Sequence, residues 1–284
     1  MQGDLRARFV VNASGPLSTP VIPDFKVKDS FKGKSFHTSN WDHSYDYRGK
    51  RVAIIGSGAS AAQVIPDLAK DVGHLHVFQR TPHWLLPRKD HVFSPLQRKL
   101  LRNKTLYKAL RSVIYWSLES RVVGFKYSDY MLKTIAQKKA IKHIKQQIKD
   151  PVLRKKVTPD YTIGCKRIIL SNTLYPAFCQ ENVSLHSKEQ GIREITETGI
   201  ETTDGQIIDV DLIVYSTGYD ATDGVISYPV IGKDNRLLGD FWGAFQRVYL
   251  GTCAPGFPNL FFATGPNTGC RLYTFEPTAE KAKV

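Results

Sequence analysis

The clearest hydrophobic block in the chain is Arg51-Val52-Ala53-Ile54-Ile55, an apolar run that stops at Gly56-Ser57-Gly58. A strand covered on both faces reads as continuous apolar sequence, so this block predicts a central parallel strand. Ala61, Ala62, Val64, Ile65, Leu68 and Ala69 then recur at near-helical spacing, and Leu75-His76-Val77-Phe78-Gln79 follows as a second strand. Strand, glycine turn, helix and strand in that order predict the opening of a βαβ unit. Upstream, Arg8-Phe9-Val10-Val11-Asn12-Ala13 reads as a short buried strand entering the turn Ser14-Gly15, and Pro20 to Ser30 as a surface connection.

Past Pro82, Pro87 and Pro95 the period changes, and from Leu96 the pattern is helical for roughly fifty residues. Ile141, Ile144 and Ile148 share one helical face, while Lys138, Lys139, Lys142, Lys145 and Lys149 surround the other. Pro151 is expected to end that helix. An irregular stretch from Thr158-Pro159-Asp160 then reaches Gly164-Cys165-Lys166-Arg167, before a strand at Ile168-Ile169-Leu170. Between Val183 and Val210 the alternation and the Asp204-Gly205 turn predict β-hairpins, leading to the buried strand Leu212-Ile213-Val214-Tyr215 and then Ser216-Thr217-Gly218. The expected class is α/β, with a Rossmann-like dinucleotide-binding domain interrupted by a helical insert.

Composition narrows this picture. With 284 residues, 42% of them hydrophobic, the chain can fill a substantial core. It has no apolar run of eighteen residues, and its first residues lack the apolar core of a secretory signal, so a soluble, cytoplasmic protein is expected. Cys165, Cys179, Cys253 and Cys270 are scattered, which points to neither a zinc site nor a disulfide framework. The net charge of +14 is local: Arg98 to Lys156 holds seventeen Lys and Arg against Glu119, Asp129 and Asp150, the whole of the excess. That stretch lacks a recognised nucleic-acid motif, so solvated helix faces are the expected reading and no nucleic-acid partner is expected. Trp116, Leu118, Val122, Val123 and Phe125, with nearby cations, leave open a peripheral contact with an anionic membrane.

The glycine turn carries the first chemistry. Gly56 permits a tight strand-to-helix turn, Gly58 removes a side chain where a pyrophosphate must approach, and Ala61 allows close helix packing. Ser57, Ala59, Ser60 and Gln63 complete the candidate pyrophosphate site at the helix N-terminus. Where an NAD site would place Asp or Glu at the end of the second strand, this chain has Gln79-Arg80-Thr81. A guanidinium binds the 2′-phosphate of NADP through charge-assisted hydrogen bonds, whereas a carboxylate repels it, so NADP is expected.

Phe31, Gly33, His37, Trp41 and Asp42 fall at every fixed position of F-x-G-x-x-x-H-x-x-x-W-(P/D), directly upstream of the glycine turn. The segment resembles the fingerprint of the Baeyer-Villiger monooxygenases, within the flavin-containing monooxygenase superfamily. Gln79-Arg80-Thr81-Pro82, Lys166-Arg167 before Ile-Ile-Leu, Ser216-Thr217-Gly218-Tyr219-Asp220 and the run from Gly251 through Gly256-Phe257-Pro258-Asn259-Leu260-Phe261 to Gly265-Pro266-Asn267 are similar to further segments of that family. The resemblance implies FAD and NADP as cofactors, and O2 with a small organic ketone, amine or sulfide as reactants through a C4a-peroxyflavin. It implies Arg80, Thr81 and Lys166 on the NADP 2′-phosphate, Arg167 as the cation beside the flavin oxygen adduct, and Gly218 and Asn267 near the flavin. It also implies His37 in a linker that couples domain movement to catalysis, with Phe31, Phe36 and Trp41 as packing anchors and Gly33 in a turn.

Family members carry an earlier G-x-G-x-x-G loop for the FAD pyrophosphate, and about thirty residues precede the fingerprint here. The FAD-binding domain is therefore expected to be incomplete. The implied division is 1–30 as its remnant, 31–48 as fingerprint linker, 49–90 as NADP-binding unit and 91–158 as basic helical insert. Residues 159–218 complete the NADP-binding domain, and 219–284 form a truncated C-terminal part of the FAD-binding domain. The alternative is an inactive NADP-binding fragment.

Overall fold

The computed structural model describes residues 4–15, 17–88, 90–127, 132–220, 228–243, 246–263 and 265–266, with backbone alone for 121–127 and 132–133. A five-stranded parallel sheet lies at its centre, in the order β2-β11-β3-β4-β7. Its strands are β2 (Lys34–His37), β3 (Arg51–Ile55), β4 (His74–Phe78), β7 (Val183–His186) and β11 (Leu212–Tyr215). The predicted strand, helix and strand are present, with helix α1 (Ala61–Asp71) crossing from β3 to β4.

Alternation along these strands sends side chains to two separate cores. Val52, Ile54, Leu75, Val77, Leu212 and Val214 face α1 and the helices α4 (Lys138–Gln147) and α6 (Leu174–Phe178). Ala53, Ile55, Ile213 and Tyr215 face the other way, onto Ile195, Ile200 and Val210 of an antiparallel meander. That meander is β8 (Ile192–Ile195), β9 (Gly199–Thr202) and β10 (Ile207–Asp209). The sheet is thus a middle layer between helices and a second sheet.

Three sequence expectations change in detail. The helical stretch from Leu96 is several helices: α2 (Pro95–Leu100), α3 (Lys104–Tyr127), a π-helical turn at Leu132–Gln137, and α4. Pro151 opens α5 (Pro151–Val157), and the Asp150 carboxylate accepts from the Val152 and Leu153 amides at 3.0 Å each. Val183–His186 joins the parallel sheet instead of a hairpin, and only the residues after Gly191 form the meander. Ile144 and Ile148 are buried as the spacing predicts, and Ile141 packs beside them.

A short parallel pair, β5 (Leu85–Leu86) with β6 (Ile169–Leu170), connects the chain on either side of the helical insert. Another, β1 (Val10–Asn12) with β12 (Leu260–Phe262), joins the two ends of the described chain. Near β12 lies a third core, of Leu238, Trp242, Ala254, Phe257, Leu260 and Phe262, with the first two on α7 (Leu238–Trp242). Cys165, Cys179 and Cys253 are free thiols. Among the described residues, no helix is long and apolar enough to cross a membrane, and no cluster of three or more His, Cys, Asp and Glu could hold a metal ion.

Candidate dinucleotide site

Four strands of the central sheet deliver candidate residues to one edge. β2 ends in His37, β11 runs into Ser216-Thr217-Gly218, β3 into Gly56-Ser57-Gly58, and β4 into Gln79-Arg80-Thr81. The carboxyl ends of parallel strands are where open α/β sheets bind ligands.

The two glycines of the loop answer different demands. Gly56 has φ +119°, and a Cβ there would run into the Ser216 carbonyl, so the fold itself requires glycine. At Gly58 a Cβ would meet no protein atom within 4 Å, and its backbone is not left-handed. No contact among the described residues calls for glycine at 58, and the space it leaves is open. Among the described residues, no protein acceptor takes the amides of Ser57, Gly58, Ala59, Ser60 or Ala61, whereas Ala62 N–H donates to Gly58 O at 2.9 Å. Unpaired amides at the positive end of a helix are the groups that can hold an anion. The Gln63 side chain donates to Ala59 O at 3.0 Å and braces the loop, and Ser57 Oγ donates to Thr81 O at 3.0 Å, tying it to the end of β4.

Arg80 is exposed beyond β4 and has no hydrogen-bond or ionic partner among the described residues. The parallel register of β5 and β6 brings Lys166 and Arg167 alongside this corner, because Leu85 pairs with Ile169. Tyr161 OH donates to Pro82 O at 3.0 Å, Trp84 Nε1 donates to Tyr161 O at 2.7 Å, and Lys166 Nζ stands 5.0 Å from the Tyr161 ring centroid. Burial pushes the Tyr161 phenol up to about 12, so it stays a donor. His83 is held below the usual histidine range by burial and then by the Lys166 charge, and its buried Nδ1 has no partner. Arg80, Thr81 and Lys166 therefore gather at one corner. Arg167 is exposed there, without a partner among the described residues.

His37 is almost fully buried, and burial lowers its pKa, leaving it neutral near pH 7. Nδ1 accepts from Ser39 N–H at 3.1 Å, which puts the proton on Nε2. That nitrogen lies toward the Gly218 carbonyl without reaching hydrogen-bond geometry, and the Tyr219 ring packs edge-on with its centroid 5.5 Å away. Ser216 Oγ is likewise buried without a partner. Gly218 has φ +87°, and its carbonyl accepts from Val21 N–H at 3.0 Å, fixing the 19–21 segment to the turn.

Elsewhere in the fingerprint, Phe36 and Trp41 pack edge-on with centroids 4.9 Å apart. Gly33 is needed for close approach and not for a left-handed turn: a Cβ there would meet the Phe31 ring and lie 2.7 Å from the Asp211 carbonyl. Lys34 Nζ at 2.8 Å and the Ser44 hydroxyl hold the Asp42 carboxyl well below the usual carboxylate range. Asn267 lies outside the described residues. His83 and Tyr161 were missed by sequence reasoning. His83 follows the Arg80-Thr81-Pro82 run directly and could have been found, whereas Tyr161 joins the corner only through long-range packing.

Residues 8–236 match the family of flavin-binding monooxygenase-like proteins. The chain is 46% identical over 264 residues to a Baeyer-Villiger monooxygenase of Pseudomonas aeruginosa, covering 93% of this chain and 50% of that protein. It is 42% identical to one from Streptomyces coelicolor, covering 95% of this chain and 51% of the relative. A crystal structure of OTEMO in complex with FAD and NADP superposes with a TM-score of 0.75 at 34% identity, over 94% of this chain and 57% of that one. A closed cyclohexanone monooxygenase superposes at 0.76 with 30% identity, over 92% and 56%. The chain spans about half the length of the curated relatives it matches.

Proposed function

This chain belongs to the flavin-binding monooxygenase-like family, and we propose that it is the NADPH-binding part of an FAD-dependent monooxygenase that places one oxygen atom of O2 into a ketone. The observation that carries the reading is the open cradle at 57–61, with space above Gly58, beside a corner holding the uncompensated Arg80, Lys166 and Arg167. Pyrophosphate fits the first element and a 2′-phosphate the second, by charge and by donor count. The relatives' names favour a ketone over the nitrogen or sulfur centres that the superfamily also oxidises.

When bound, the nicotinamide supplies a hydride and the flavin passes the electrons to O2. The chain's own residues do the rest. Amides from Ser57 to Ala61 hold the pyrophosphate, Gln63 keeps the Ala59 carbonyl turned away from it, and Arg80, Thr81 and Lys166 select the 2′-phosphate. Arg167 is the fixed cation for anionic oxygen, where charge stabilisation matters most. Neutral His37 holds its proton on Nε2 beside Gly218, joining the fingerprint to the 216–218 turn. In this reading residues 49–90 and 159–218 form the NADP-binding domain around a 91–158 insert. The 31–48 linker leads to flavin-domain parts at 1–30 and 219–284.

For the flavin the fit is partial. Ser216 Oγ, buried without a partner, stands just past the end of β11, and β1 pairs with β12. The alternative reading is an NADP-binding module without flavin catalysis. NADPH and NADH titrations test the shared part: a preference of about tenfold or more for NADPH is expected, and equal affinities would overturn it. Incubation with FAD followed by gel filtration separates the readings. Retained flavin absorbance with ketone-dependent NADPH oxidation supports the oxygenase, and a colourless protein that still binds NADPH supports the module.

A further inference from the structure

From Lys104 to Ser120 no side chain of α3 is buried, although the segment is rich in large apolar residues. Leu106, Tyr107, Val113, Ile114 and Leu118 are 47, 47, 67, 48 and 52% exposed. Their spacing of one, seven, eight and twelve residues from Leu106 places them in one stripe of a helix with 3.6 residues per turn. Lys104, Lys108 and Arg111 lie along one edge of the stripe beside Tyr115, with Trp116 off the other edge, and the Arg111 guanidinium lies over the Tyr107 ring at 5.8 Å. None of these three cations forms an ion pair among the described residues. The helix is about 36 Å long at 1.5 Å per residue, and it belongs to the stretch that holds the chain's entire charge excess. The neighbouring α2 adds Leu96 and Leu100, 66 and 52% exposed.

An exposed apolar stripe bordered by free cations has the composition of a helix that lies in a bilayer interface, with its stems along the acyl boundary and its charges at the headgroups. We propose that α3 is a reversible docking helix for an anionic lipid surface. Charge decides between a second copy, a nucleic acid and a lipid surface. A second copy would bring two strongly basic segments together, which Coulomb repulsion opposes. A nucleic acid would neutralise the cations but leave the aliphatic stripe in water. An anionic bilayer satisfies both parts of the helix.

Vesicle flotation of the whole chain tests this with phosphatidylcholine alone and with added phosphatidylglycerol. Flotation is expected only with the anionic vesicles and should fall as salt rises. Ile114→Asp with Leu118→Asp should abolish it while helix content by circular dichroism and NADPH affinity stay unchanged. Lys104→Glu with Lys108→Glu should lower vesicle affinity about tenfold or more, since each cation near an anionic surface contributes, and this pair keeps the test decisive if the first variant misfolds. Equal flotation with both lipids, or none with either, would overturn the proposal. So would self-association relieved by the Ile114/Leu118 variant without vesicle binding, or duplex-oligonucleotide binding that the variant leaves intact.

Discussion

At the scale of single residues, Gly56 and Gly58 make a paired test because they stand two positions apart and serve different masters. Gly56→Ala should destabilise the protein by about 2 kcal/mol or more, since backbone strain adds to a collision with the Ser216 carbonyl; a drop in melting temperature reads it. Gly58→Ala should leave the melting temperature unchanged, because its Cβ enters open space, yet weaken NADPH binding about tenfold or more as it crowds the phosphate. If both variants lost stability alike, the cradle reading would fail. Arg80→Ala should cost NADPH roughly 10- to 100-fold in affinity, the worth of one charge-assisted hydrogen bond, while NADH affinity stays level in the same titration. The Gly56 role was legible from the strand-turn-helix pattern. Gly33 was not: its constraint comes from the Asp211 carbonyl, a residue far along the chain, and not from its own turn.

Elements divide by how local their determinants are. The β3-α1-β4 unit was legible because its apolar period and glycine turn lie within about thirty residues. The helix of Lys138–Gln147 does end before Pro151, but the new helix that Pro151 opens was not foreseen, because proline both stops a helix and suits the first position of a new one. The Asp150 carboxylate on two amides shows which applied. Asp150→Ala should cost about 1 kcal/mol through loss of that cap, measurable by denaturant unfolding, with no effect on NADPH affinity. Val183–His186 was taken into the hairpins because a short alternating strand does not reveal its partner. Its place beside β4 depends on contacts more than a hundred residues apart. The same limit hid Tyr161, whose hydroxyl reaches Pro82 across the helical insert.

For the whole molecule, acid stability is the readable property. On the meander-facing side of β4 and β7, His76 Nδ1 and His186 Nε2 share a hydrogen bond of 3.2 Å, with His186 stacked on Phe78. Burial first, then the neighbouring positive and imidazole groups, lowers both to about 4. His74, Arg51 and Lys156 disfavour their charging, and Asp204 alone favours it at His186. The unfolded chain, with ordinary histidines, binds more protons between about pH 6.5 and 4, so this pair should make stability fall as pH drops through that window, and below it the lowered carboxylates of Asp42 and Asp211 continue the loss as they protonate. Thermal melts across this range should show the slope, and His76→Leu with His186→Leu should flatten it. By itself, the sequence determined the family, the central βαβ unit, the glycine turn that opens α1 and the cation at the end of β4, because each is written in residues close together along the chain. Only the tertiary structure decided that β11 inserts between β2 and β3, that Lys166 and Tyr161 join Arg80's corner, that His76 meets His186, and that α3 leaves its apolar stripe in the open. Those outcomes depend on which distant segments pack together, and local apolar periodicity shows that a face needs covering without showing what covers it.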